Sequence, residues 1–89
     1  MKRQKIVCKG WVQGVGFRYR AMQAARKFGV SGWVRNDPGG SVTMELQGTQ
    51  EQIDNVIIAI MQSAYISIDH MDVADIPVTE GERGFIPIL

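Results

Sequence analysis

Cysteine and histidine are almost absent from this 89-residue sequence, which contains one of each. A single thiol, Cys8, cannot form an internal disulfide and cannot build a zinc site from several cysteines. Because disulfides are typical of oxidising compartments, we expect a reduced, cytoplasmic protein. His70 is not part of a His/Asp/Glu cluster with metal-ligand spacing, so we expect no metal and no cofactor.

A charge excess and long apolar runs are also missing. Ten Lys and Arg residues nearly balance nine Asp and Glu residues, whereas nucleic-acid-binding modules usually have a strong basic excess. Every apolar run is far shorter than the roughly 18 residues of a transmembrane helix. The N-terminal residues 1–5 are rich in Lys and Arg, but only three apolar residues, Ile6, Val7 and Cys8, follow them. A signal peptide needs an apolar stretch of about 7–15 residues. We therefore expect neither a nucleic-acid partner nor a membrane association.

What the sequence does contain is a regular succession of apolar patterns. Hydrophobic residues make up 45% of the chain, which suits one core, and we expect a single domain over residues 1–89. Period-two alternation predicts strands, and apolar residues at helical spacing predict helices. The predicted elements, in chain order, are a strand over 6–12, a helix over 17–28, strands over 30–35 and 41–47, a helix from 50 to about 62, and strands over 65–73 and 84–88.

This order predicts a ferredoxin-like βαββαβ sandwich of the α+β class, with a four-stranded antiparallel sheet, two helices on one face and a short C-terminal strand. Gly29 is expected to end the first helix, and Thr49 with Gln52 is a predicted capping box for the second. Pro87 cannot donate to a sheet, so the last strand is expected at an edge. The polar residues 75–83 are expected to form a loop. The expected core includes Cys8, Met22, Met44 and Met61.

One segment, from Gln13 to Arg18, has the residues of an anion-binding loop. Gly14 and Gly16 stand between the first strand and the first helix, where glycines leave backbone N–H groups unshielded. A helix N-terminus adds unpaired donors and a partial positive charge. Arg18, in the first helical turn, carries a planar fork of donors that fits two phosphate oxygens. The pattern is not a Walker A loop, because no Gly-Lys-Ser/Thr follows, and Tyr19 replaces the third glycine of a dinucleotide-binding loop.

By physics alone a plainer interpretation stays open for each of these residues. Gly14 and Gly16 are also what a tight turn requires, and Arg18 is also typical of a solvated helix surface. Asn36, which precedes Asp-Pro-Gly-Gly, is a common turn former.

The stretch Gly10-Trp11-Val12-Gln13-Gly14-Val15-Gly16-Phe17-Arg18 resembles the signature of the acylphosphatase family. A second block, Gly32-Trp33-Val34-Arg35-Asn36, also matches, with Gly40-Ser41-Val42 at the usual distance. The steps Gln47-Gly48 and Gly84-Phe85 fit too, so the resemblance covers nearly the whole chain. The chain departs from the family at Gly39, where an Asp is frequent, and in residues 63–71, which lack the usual Gly-Pro before the fourth strand.

The resemblance implies a metal-free, monomeric enzyme that hydrolyses acyl phosphates to a carboxylate and inorganic phosphate. The family's phosphate-binding arginine falls on Arg18 and its water-positioning asparagine on Asn36. Its backbone cradle falls on Gln13, Gly14, Val15, Gly16, Phe17 and Arg18. The alternative is a non-catalytic ferredoxin-like module that binds a phosphorylated ligand or a protein partner.

The remaining candidates are expected to have structural roles. His70 lies near two aspartates in the sequence, but no nucleophile motif accompanies it, and we expect a surface histidine. Arg35 is expected to be solvated, because strand alternation points it away from Asn36. Trp11 and Trp33 are expected on the open face of the sheet, without the aromatic motifs of an RNA-recognition module.

Overall fold

The computed structural model describes residues 1–88, and the order of its elements is the one that the sequence predicts. The strands and helices are β1 (Lys2–Trp11), α1 (Phe17–Phe28), β2 (Ser31–Asn36), β3 (Val42–Gly48), α2 (Gln50–Met61), β4 (Ser67–Ile76) and β5 (Phe85–Ile88). Both helices pack on a mixed sheet, which confirms the predicted α+β class.

The sheet has five strands in the order β4-β1-β3-β2-β5, one more than predicted. The first four pair antiparallel, as expected, but β5 adds to the outer edge of β2 in parallel. Phe85 anchors it, because this side chain is buried in the core opposite Gly32. The edge position predicted from Pro87 is confirmed, since a missing N–H costs nothing on the outer side of an edge strand.

Local signals at the helix ends are confirmed. Gly29 has left-handed backbone angles, and its N–H donates to the carbonyl of Ala25. The hydroxyl of Thr49 accepts from the N–H of Gln52, while the Gln52 side chain accepts from the N–H of Thr49. This reciprocal pair is the predicted capping box, and it fixes where α2 begins.

The core fills the space between the helices and the sheet. Its largest fully buried side chains include Ile6, Met44, Leu46, Ile53 and Ile60. Cys8 is buried as predicted, and Met22 packs against the margin of this core. The prediction for Met61 is wrong, because its side chain is 57% exposed. Met61 follows Ile60 directly, which places it about 100° around the helix from the buried stripe.

Strand β4 is longer at its C-terminal end than the sequence predicts. Residues 75 and 76, expected in a loop, pair with the start of β1, where Arg3 lies opposite Ile76. The length of this edge strand is set by its backbone hydrogen bonds with β1. Its side chains are largely exposed, so its sequence does not need to alternate between apolar and polar residues. The register shifts between Lys9 and Gly10, and this irregularity accounts for the uneven sequence pattern of β4.

Candidate active site

The loop between β1 and α1 is anchored in the core at both ends. Val12 precedes it with 1% of its surface exposed, and Phe17 follows it with 2%. Between them Gly14 and Gly16 have φ angles of 73° and 78°, in the left-handed region that other residues rarely adopt. Both glycines face open space, with no atom within 4 Å of where a Cβ would lie. The loop therefore presents bare backbone to the surface.

The N-terminus of α1 has no side-chain cap, because its N-cap residue is Gly16. No side chain accepts from its first N–H groups, and its first turn contains no acidic residue. Within residues 1–88, the backbone N–H groups of residues 14–19 donate to no protein acceptor. These donors and the positive end of the helix dipole together favour a bound anion.

Arg18 adds a charged group to these donors. Its side chain is half-buried, yet it forms no ion pair or hydrogen bond with the described part of the chain. Arg3, Arg20 and Arg35 differ in this respect, because each of them donates to a protein oxygen. The guanidinium of Arg18 is thus available for a ligand.

Asn36 is the last residue of β2, and its exposed side chain makes no hydrogen bond within residues 1–88. A small pocket of about 200 Å³ brings Asn36 together with Arg18, and its other lining residues are Val12, Gly14, Gly16, Phe17 and Tyr19. The two residues singled out from the sequence therefore border one pocket. Gln13 and Val15, also in the predicted cradle, do not line it, and Val15 packs against the core instead.

Asp37 stabilises the turn that follows Asn36, a role that was not predicted from the sequence. Its carboxylate accepts from the hydroxyls of Thr43 at 2.6 Å and Ser41 at 2.8 Å, and from Nε of Arg35 at 3.1 Å. Burial works against ionisation of Asp37, but these hydrogen bonds outweigh it and hold its pKa below the ordinary value. The pattern of an Asp followed by Ser and Thr in a hairpin was the available signal.

Gln13 connects this turn to the glycine loop. Its side-chain nitrogen donates to the backbone carbonyls of Asp37 at 2.7 Å and Ser41 at 2.9 Å. From the sequence, only the backbone of Gln13 was expected to have a role. Its side chain instead spans from the loop to the hairpin that carries Asn36.

A family model described as Acylphosphatase matches residues 4–87. The chain belongs to the acylphosphatase family. The acylphosphatase of Bifidobacterium longum is 39% identical over 79 residues, which are 88% of this chain and 81% of the relative. That of Lactobacillus johnsonii is 38% identical over 82 residues, 90% of each chain. The crystal structure of acylphosphatase from Bacillus subtilis matches with a TM-score of 0.91 at 29% identity and covers 100% of both chains.

The resemblance noted from the sequence is thereby confirmed, and the protein's activity is acylphosphatase activity, the hydrolysis of acyl phosphates. Its substrate is a small-molecule acyl phosphate, and inorganic phosphate is a product. A larger cleft of about 950 Å³ lies at the other end of the sheet and is lined in part by residues 78–85. Its lining carries charges of both signs, because Arg26 and Arg83 border it together with Glu80 and Glu82.

The other titratable candidates lie outside the small pocket of this acylphosphatase. His70 is exposed on β4, as expected, and its Nε2 lies 2.9 Å from a carboxylate oxygen of Asp72. Burial raises the pKa of the Cys8 thiol to about 11, which makes it unreactive at neutral pH. Arg35 is exposed as expected, but it also pairs with Asp37 and lies 5.0 Å over the ring of Trp33.

Within residues 1–88, no group of three or more His, Cys, Asp or Glu side chains is arranged to hold a metal ion. No helix in this part of the chain has the length and apolar character needed to cross a membrane.

Proposed function

We propose that Arg18 and the backbone N–H groups of residues 13–18 bind the phosphoryl group, and that Asn36 positions the attacking water. The observation that carries this proposal is the small pocket in which a guanidinium and a carboxamide without partners in residues 1–88 meet a helix N-terminus that has no side-chain cap. Arginine suits this role because its planar fork contacts two phosphoryl oxygens at once.

The chemistry requires little beyond these groups. The water oxygen forms a bond to phosphorus while the bond from phosphorus to the acyl oxygen breaks, and the carboxylate leaves with the electron pair. The proton lost by the water passes to the phosphate product or to solvent. Since a carboxylate is a good leaving group, positioning and charge stabilisation supply most of the catalysis.

Asn36 acts on the water without taking its proton. Its side-chain oxygen accepts a hydrogen bond from the water, and its NH₂ donates one, so the carboxamide orients the nucleophile in line with the leaving carboxylate. Arg18 and the loop N–H groups neutralise the phosphoryl oxygens in the transition state. Preorganised donors of this kind contribute about 2.7–4 kcal/mol each.

The dimensions of the pocket bear on substrate range. A space of about 200 Å³ suits a phosphoryl group and leaves the acyl group at the surface, close to the exposed ring of Tyr19. We infer that the enzyme accepts many different acyl groups. Comparing kcat/KM for acetyl, benzoyl and longer acyl phosphates tests this, and a strong preference for one of them would contradict it.

The direct test of the site is the hydrolysis of benzoyl phosphate, followed by its ultraviolet absorbance, in the presence of EDTA. We expect full activity with EDTA, because the proposed mechanism uses no metal, and loss of activity in Arg18→Ala. Activity that EDTA abolishes, or that survives Arg18→Ala, would overturn the proposed mechanism. We also propose that the enzyme is a cytoplasmic monomer, which sedimentation velocity and cell fractionation can test.

A further inference from the structure

The carboxamide of Gln13 donates both of its hydrogens to one hairpin loop. Its nitrogen lies 2.7 Å from the carbonyl oxygen of Asp37 and 2.9 Å from that of Ser41. A carboxamide NH₂ has two donors, so none is left for a substrate. The two acceptors mark the two ends of the loop that follows Asn36.

These carbonyls already have backbone partners. The N–H of Asp37 donates to the carbonyl of Ser41 at 2.8 Å, and the N–H of Gly40 donates to that of Asp37 at 3.1 Å. The carboxylate of Asp37 further ties the loop to Ser41 and Thr43. The loop is therefore closed by its own hydrogen bonds, and the bonds from Gln13 are not needed to form it.

What the Gln13 bonds add is a connection between two segments that are 24 residues apart in sequence. One segment is the glycine loop, which starts at the core-anchored Val12 and leads to Arg18. The other is the hairpin, in which Asp37 directly follows Asn36. The only side chain of the glycine loop that donates to this hairpin, within residues 1–88, is Gln13.

We propose that Gln13 is a positioning residue, whose side chain fixes the turn of Asn36 relative to the phosphate-binding loop. This inference rests on the proposed function of Arg18 and Asn36. The rate of a reaction that depends on positioning is sensitive to small displacements, since moving a reacting group by about 1 Å can lower the rate about 10²-fold. The phosphate contacts belong to the glycine loop and Arg18, so loss of the connection displaces the water and leaves the phosphate bound.

Gln13→Met is the decisive variant, because it keeps the length of the side chain and removes both donors. We expect kcat for benzoyl phosphate to fall about tenfold or more, while the inhibition constant of inorganic phosphate stays within about threefold of wild type. Gln13→Asn keeps the carboxamide but is one methylene too short to reach both carbonyls, and it should likewise lower kcat without changing the inhibition constant of phosphate.

Gln47→Met is the matched control at the other end of the sheet. Gln47 also makes side-chain hydrogen bonds between two segments, donating to the carbonyl of Thr79 at 3.0 Å and accepting from its N–H at 2.8 Å. This substitution should lower the melting temperature and leave kcat within about twofold of wild type. Far-UV circular dichroism of each variant monitors folding.

A double-mutant cycle tests whether Gln13 acts through Asn36. In the Asn36→Ala background, Gln13→Met should change the residual kcat less than about twofold. The carboxamide that positions the water is already absent there, so its displacement has no further effect. In the Arg18→Lys background, Gln13→Met should lower kcat by the same factor as in the wild-type enzyme. A wild-type kcat in Gln13→Met, an equal loss of phosphate affinity, or a full effect in Asn36→Ala would overturn the role of Gln13. Wild-type turnover in Asn36→Ala itself would instead overturn the proposed function.

Discussion

The guanidinium of Arg3 donates two parallel hydrogen bonds to the carboxylate of Glu82, at 2.7 and 3.1 Å. The two residues are 79 positions apart, and the Arg3 side chain is only 3% exposed. Arg3 also binds Glu45 at 2.8 Å and Gln47 at 3.1 Å. This cluster ties the segment before β5 to the sheet, at the end opposite the pocket of Arg18.

Glu82→Gln should lower the free energy of unfolding by about 1.5–3 kcal/mol, because Arg3 keeps its buried charge and loses one of its two acidic partners. Activity should stay unchanged, since neither residue borders the small pocket. Urea denaturation and steady-state kinetics measure the two effects. Glu80→Gln is the control, because Glu80 is exposed and its substitution should cost less than about 0.5 kcal/mol. A loss of kcat in Glu82→Gln would show that the two ends of the sheet are coupled.

Arg18→Lys should reduce kcat/KM about 10²–10³-fold, although the positive charge is kept. An ammonium group is a point charge and cannot make the two-pronged contact of a guanidinium. Kinetics with benzoyl phosphate measure the loss. Arg26→Lys, on the exposed last turn of the same helix, should behave as wild type. Near-normal turnover in Arg18→Lys would mean that charge alone is sufficient.

Asn36→Ala should lower kcat by about 10²-fold or more and leave the affinity for inorganic phosphate within a few-fold of wild type. The reason is that Asn36 is proposed to contact the water and not the phosphate. Competitive inhibition by phosphate and single-turnover rates separate the two constants. Asn55→Ala, on α2, serves as the control. If phosphate affinity fell as far as kcat, Asn36 would be a phosphate ligand.

Ionisation of Asp37 should account for part of the loss of folding stability at acid pH. Its pKa is lower in the folded than in the unfolded protein, so its ionised form contributes stability above the unfolded pKa of about 3.9, and this is lost as pH falls through the folded pKa. We expect Asp37→Asn to be less stable than wild type at pH 7, with a difference that shrinks below about pH 4. Urea midpoints between pH 7 and pH 3 measure it, and a constant difference across this range would exclude the carboxylate as the cause.

Local signals in the sequence predicted most of the fold. Both helices, their caps and the hairpin after Asn36 depend on neighbouring residues, and all of them form where expected. Gly39, one of the departures from the family pattern noted in the sequence, has an ordinary φ angle and open space around it, so the hairpin does not depend on a glycine there. At Gly40 the φ angle of 99° does favour glycine.

Contacts between distant segments were not predictable in the same way. The parallel pairing of β5 with β2 and the extension of β4 to Ile76 depend on strands far away in sequence. The same holds for the side chains of Gln13 and Asp37, whose partners become neighbours only when the sheet forms. In the site, Arg18 and Asn36 were identified by a family resemblance, whereas spacing alone left each of them with a plainer interpretation.

The bare start of α1 has a consequence for the lifetime of the molecule. Its N-cap residue is Gly16, which has no side chain to accept a hydrogen bond, and within residues 1–88 the backbone donors of residues 14–19 have no acceptor. An anion bound at the proposed site supplies those acceptors to the folded chain and not to the unfolded one. Inorganic phosphate, the reaction product, should therefore protect the enzyme that releases it from proteolysis, because cleavage depends on the population of the opened chain.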